Sequence, residues 1–121
     1  MNNPRSLLAT TLVAGGSMTE REAVLTQMAA PTAAIIIEGL PTGQTSFADT
    51  QQLIRLAPAC LCCAGNLVLT VHLHRLLRQT PPPSALYIVL HNAEHLPQLR
   101  AQLVNSPYDE HLLLSADYLI A

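Results

Sequence analysis

Five consecutive residues, Ala33-Ala34-Ile35-Ile36-Ile37, constrain this chain more than any other stretch. A side chain branched at Cβ loses rotamer freedom in a helix and packs well on a pleated strand. A half-solvated strand would alternate apolar and polar residues, and this run does not alternate. It therefore predicts a strand covered on both faces, the usual condition of a parallel sheet flanked by helices.

The flanking segments agree. Ser6 to Val13 is a second short apolar run, ended by Gly15-Gly16. Thr19 followed by Glu22 has the spacing of a capping box and predicts a helix from about Glu20 to Ala29, with Val24, Leu25 and Met28 as its apolar stripe and Pro31 as its stop. Glu38 to Thr50 is rich in Gly, Pro, Ser and Thr and reads as a loop. Leu53 to Leu56 is a short strand ending before Pro58. Asn66 to Gln79 reads as a helix with Leu69, Leu73, Leu76 and Leu77 on one face. Beyond Pro81-Pro82-Pro83, Ala85 to Leu90 is another buried strand. Pro97 suits the first turn of a helix running to Leu103, and Leu112 to Ile120 is a final strand. Strands and helices alternate apart from one loop-linked strand pair. That order predicts an α/β fold: a three-layer sandwich with a mostly parallel sheet and Rossmann-like topology.

Composition narrows the function. At 121 residues the chain suits a single domain, and with 50% hydrophobic and 3% aromatic residues its core must be aliphatic. The charged fraction is only 12%, which favours a surface partly covered by a second copy or a partner protein. A net charge of -2 supplies no field for nucleic acid or an anionic membrane. Every basic residue is arginine (Arg5, Arg21, Arg55, Arg75, Arg78 and Arg100), so chemistry that needs a lysine is excluded. No apolar run approaches the roughly 20 residues of a membrane span. Arg5 ahead of Leu7 to Ala14 has the look of a secretory signal, but Thr10 and Thr11 weaken its apolar centre. Three cysteines within four positions do not form a disulfide framework. A cytoplasmic protein is expected.

One series of motifs stands out from this patterning: Ile35-Ile36-Ile37-Glu38-Gly39, then Leu56-Ala57-Pro58-Ala59-Cys60-Leu61-Cys62-Cys63, then Asn66-Leu67, then a helix ending Leu73-His74-Arg75-Leu76-Leu77, and a strand Leu86 to Leu90. Over most of the chain this order resembles the CobW family of P-loop GTPases, which are associated with metal delivery. The Cys-x-Cys-Cys is the specific part of the match. The resemblance implies a P-loop-NTPase-like domain, truncated before the guanine-reading segment and the C-terminal domain, with metal handling as its business.

The phosphate-binding loop departs from the family. A working loop reads G-x-x-x-x-G-K-[ST], in which glycines admit phosphate to backbone N–H groups, lysine neutralises it and the hydroxyl holds Mg²⁺. Counted from Gly15, the last three positions here are Glu20, Arg21 and Glu22. Two carboxylates repel a triphosphate, so neither nucleotide as a cofactor nor GTP hydrolysis is expected.

The candidate metal ligands are Cys60, Cys62 and Cys63, with Glu38 and His91 as further candidates. Thiolates suit Zn²⁺ or Cu(I), and three of them leave a tetrahedral ion one open position, as a carrier requires. Free cysteine also serves simply as a small buried residue. In a parallel sheet the strands' C-terminal ends share one edge, where Glu38, the cysteines, His91 and Glu94 would gather. His72 and His74, two apart on a helix, diverge. Glu38 has a plainer role open to it as well, capping a turn or meeting Arg55. No Ser-His-Asp spacing is present, and a Cys-His pair of Cys62 or Cys63 with His91 is the one nucleophilic alternative. Three readings follow: a non-hydrolytic CobW-like protein that binds zinc or a similar ion; an interaction module, a homodimer, with its cysteines in the core; and, as the weakest, vestigial nucleotide binding without hydrolysis.

Overall fold

The computed structural model describes residues 7–39, 51–56, 67–105 and 108–120, and for residues 67 and 68 the backbone alone. Within them the chain forms strand β1 (Leu8–Gly15), helix α1 (Met18–Met28), β2 (Ala34–Glu38), β3 (Gln52–Leu56), α2 (Leu67–Leu77), β4 (Leu86–Val89), α3 (Leu96–Leu103), β5 (Leu112–Leu114) and β6 (Tyr118–Ile120). The sheet order is β3-β2-β4-β1-β5, with β6 pairing further along β1. Every pairing is parallel. The fold is α/β, a three-layer Rossmann-like sandwich, as the alternation of elements predicts.

The uninterrupted β2 is buried at all five positions, in the middle layer between two cores. One core joins Leu12, Ile36, Leu86 and Ile88 to Leu69, Leu73 and Leu76 of α2 and to Leu96, Leu99 and Leu103 of α3. The other joins Val13, Ile35, Ile37 and Val89 to Leu25 of α1. Adjacent residues of a strand feed opposite cores because side chains alternate across a sheet. Two helices therefore cover one face and one helix covers the other. Burying each leucine fully is worth about 1.5–3 kcal/mol, so the α2/α3 side holds most of the apolar stabilisation.

Two expectations from the sequence are corrected. The capping box of α1 is Ser17 and Glu20, two residues before Thr19 and Glu22. Glu20 N donates to Ser17 Oγ at 3.1 Å, and Ser17 N donates to Glu20 Oε1 at 2.8 Å. Both sets fit the S/T-x-x-E pattern. The earlier one wins because Gly15 and Gly16, at φ 91° and 62°, end the strand abruptly and leave Ser17 extended as the first residue able to cap. The helix therefore begins at Met18, and Glu22 turns into the interior.

The final strand, expected over Leu112 to Ile120, is two strands. Leu112–Leu114 pair with Leu8–Thr10, and Tyr118–Ile120 pair with Val13–Gly15, with the register advanced by one residue between the two sets. Ser115, Ala116 and Asp117 thus face only two residues of β1, as in a bulge that breaks a ladder. Arg100 of α3 grips this break: its Nη1 donates to Ser115 O at 3.0 Å and to Asp117 Oδ1 at 2.7 Å.

Smaller ties close the opposite end of the sheet. Gln52 of β3 and Gln79 beyond α2 exchange two amide hydrogen bonds, and Thr32 bonds Ser84 at 2.8 Å. Among the described residues no helix is long and apolar enough to cross a membrane.

Candidate functional site at the C-terminal rim

All strands of the sheet run the same way, so their C-terminal ends form one rim. The crossover from β1 leads toward β2, and the one from β4 leads past β1 to β5. These two neighbours therefore send their connections in opposite directions, the switch point at which open α/β sheets usually form a crevice for ligands. Leu90 N donates to Val13 O at 2.8 Å and extends the β1–β4 pairing up to this switch point. The switch point is flanked by the turn Gly15-Gly16-Ser17 on one side and His91-Asn92 on the other.

Two of the residues singled out from the sequence meet here. Glu38, at the end of β2, is buried, and its Oε1 accepts a hydrogen bond from His91 N at 2.9 Å. The carboxylate thus spans the end of β4 and fixes the backbone where the chain leaves the sheet. The His91 imidazole stands exposed at the rim. Its Nδ1 lies 3.8 Å from where a Cβ on Gly39 would be, while Met18 crowds that same point. Gly39, at φ 120°, lets β2 turn away under them.

The chain leaves β3 at Leu56 on this rim and re-enters the described residues at Leu67. Cys60, Cys62 and Cys63 lie outside the described residues, as does the loop from 40 to 50. Of the other candidates, Glu94 is exposed and His95 half-buried in the 3₁₀ turn Ala93–His95, which Asn92 caps through Glu94 N. On α2, His72 is half-buried and His74 exposed. Among the described residues, no three His, Cys, Asp or Glu side chains converge in a way that could hold an ion.

The turn at Gly15 carries the opposite polarity to a phosphate cradle. Phosphate is held by converging backbone N–H groups, but here the carbonyls of Gly15 and Gly16 converge on a cation. Arg21 Nη1 donates to Gly16 O at 2.6 Å and to Gly15 O at 2.9 Å. The Ser17 N–H meanwhile is taken by Glu20. Glu20's carboxyl is held below its ordinary value of 4.5, chiefly by the hydrogen bond from the Ser17 backbone and then by the Ser17 side chain. Burial pulls the Arg21 guanidinium below its ordinary value, against the neighbouring carboxylates of Glu20, Glu22 and Glu38. An arginine so placed stays charged at neutral pH.

The same helix also makes an ion pair that the sequence did not suggest outright. Glu22 of α1 is fully buried, and its Oε2 sits 2.9 Å from Arg55 Nη2 of β3. A signal for it exists. Arg21 is one helical turn before Leu25 and Glu22 adjoins it, so once Leu25 is placed inward these charges must share its face. Arg55 lies in β3 at a position facing α1, because its neighbours Ile54 and Leu56 pack into the opposite core. The strand alternation was visible, but the earlier helix start was not. The Arg21 Nε and Arg55 Nη1 groups are buried and find no hydrogen-bond partner among the described residues.

A cavity of about 290 Å³ lies at the other end of the sheet, lined by Leu7, Leu8, Leu77 and Pro83 among others. It lies at the end of the sheet away from the rim, and its lining is mostly apolar, with no charged side chain. No family model matches the chain, and no curated protein or solved structure is significantly similar to it.

Proposed function

We propose that the C-terminal rim is a metal-handling site, in which Cys60, Cys62 and Cys63 bind Zn²⁺ or a similar soft ion as cargo without nucleotide hydrolysis. The observation that carries this reading is the hydrogen bond from His91 N to Glu38. It fixes the backbone that carries the exposed His91 on the edge from which β3 departs, four residues before the first cysteine. Three thiolates and one imidazole make a tetrahedral donor set suited to zinc. In this reading Glu38 holds the His91 turn and lends negative charge to the site. The CobW-like order of motifs supports it, and the Gly15–Gly16 turn, whose carbonyls hold Arg21, does not offer a phosphate cradle. A cytoplasmic setting would keep the thiols reduced.

Titration of the reduced protein with zinc tests it. Wild type should bind one equivalent, Cys62→Ala/Cys63→Ala should bind none, and His91→Ala should bind more weakly. Absence of binding by wild type at micromolar zinc would remove the reading.

A second reading, an interaction module or homodimer with its cysteines in the core, is favoured by a different observation. Leu113 and Leu119 on the β5/β6 edge are 57% and 61% exposed, and Tyr118 stands beside them. Sedimentation equilibrium distinguishes the two: a dimer that ignores zinc and survives the cysteine substitutions favours the module.

A further inference from the structure

The edge strand β6 is held by little of its own. Tyr118 and Leu119 are exposed, and Ile120 alone packs into the core beside α1. What Ile120 packs against is the Gly15–Gly16 turn. A Cβ at Gly15 would collide with the Ile120 carbonyl, and one at Gly16 would lie 2.7 Å from Ile120 Cγ2 and 3.1 Å from Glu20 Oε1. Ile120 and the capping carboxylate of α1 therefore converge on one glycine. The other end of β6 is the bulge at Ser115–Asp117, which breaks the ladder and is gripped by Arg100. The segment is thus joined to the sheet through an interrupted ladder, a side-chain clasp and one apolar anchor.

We propose that β6 is a releasable strap, clasped by Arg100, whose docking on Gly15 and Gly16 keeps the turn into α1 shut. Release uncovers the outer edge of β1 at the rim and frees Gly16 from the Ile120 side. The α1 capping box then loses its backing, so the position of the strap is transmitted to the helix start beside the switch point. This device is independent of any ion bound at the rim.

Amide hydrogen exchange on the full chain tests it, comparing wild type with Arg100→Met. An ion pair at partial exposure and one charged hydrogen bond to a carbonyl together predict a rise of about threefold to tenfold where they act. The rise is expected at Tyr118–Ile120 and, together with it, at the Ser17 and Glu20 amides that the capping box protects. Ile35–Ile37 and Leu69–Leu76 should be unchanged. No change at the strap, or a rise at the strap with Ser17 and Glu20 unmoved, overturns the proposal. Should Arg100→Met raise exchange throughout the chain, Asp117→Asn decides: the same two-segment pattern supports the strap, and its absence overturns it.

Discussion

On the face of the sheet beneath α2 and α3, six helical leucines close over leucine, isoleucine and alanine side chains of five strands. On the face beneath α1, the inner surface of the helix is Arg21, Glu22 and Leu25. The first face is held by apolar area and tolerates little ambiguity about which residues point inward. The second holds a buried ion pair, and a guanidinium on two carbonyls, against the same strands. Ion pairs recover in Coulomb energy roughly what they lose in desolvation, so the α1 side contributes less to stability per residue. It faces the rim, where charge is useful.

Substitutions on the two sides should therefore behave differently. Leu73→Ala, in the middle of α2, removes a side chain that is 1% exposed and should cost about 2–5 kcal/mol in urea denaturation. A loss below about 1 kcal/mol would mean that the α2/α3 face is not the main store of stability. Glu22→Leu leaves Arg55 without its carboxylate. Because the Arg55 side chain is 23% exposed, the loss should be about 2 kcal/mol, below the range for a fully buried pair. The comparison sharpens with Glu22→Leu/Arg55→Leu, which should return to within about 1 kcal/mol of wild type. Failure to recover would show that the pair is worth more than the apolar contacts that replace it.

The smallest effect belongs to the capping carboxylate. Glu20's folded value lies below 4.5, so its contribution is fully present above the unfolded value and is lost as pH falls through the lower folded one. The stability difference between wild type and Glu20→Gln should accordingly be present at pH 6 and shrink progressively as the pH is taken below 4.5. A difference that stays constant would show that the charge of Glu20 plays no part in holding the helix start.

The same contrast explains what could be read beforehand. Spacing exposed α2, because Leu69, Leu73 and Leu76 repeat with the helical period, and Pro97 marked the first turn of α3; the strand residues these helices cover are apolar. The β-branched run made β2 unmistakable, and its lack of alternation implied the parallel sheet. On the α1 side, two overlapping capping patterns competed. The choice between them depended on the positive φ of two glycines, which composition does not display. A start two residues early brings Arg21 and Glu22 inside the helix on the face of Leu25 and turns Glu22 from a cap into a buried partner. The break at Ser115–Asp117 carried a signal in Ser115 and Asp117, which interrupt the apolar residues of Leu112 to Ile120, but only the register against β1 reveals the extra residue. At the rim, the meeting of Glu38 with His91 followed from the rule that parallel strands end together.

Crystals of the reduced protein grown with zinc, with diffraction collected on both sides of the zinc absorption edge, test the metal-handling account most directly. The account predicts an anomalous peak bonded to at least two of the sulfurs of Cys60, Cys62 and Cys63, with a nitrogen of the His91 imidazole about 2.0–2.1 Å from it. Sulfurs packed into either core away from His91, with no peak at the rim, would contradict it.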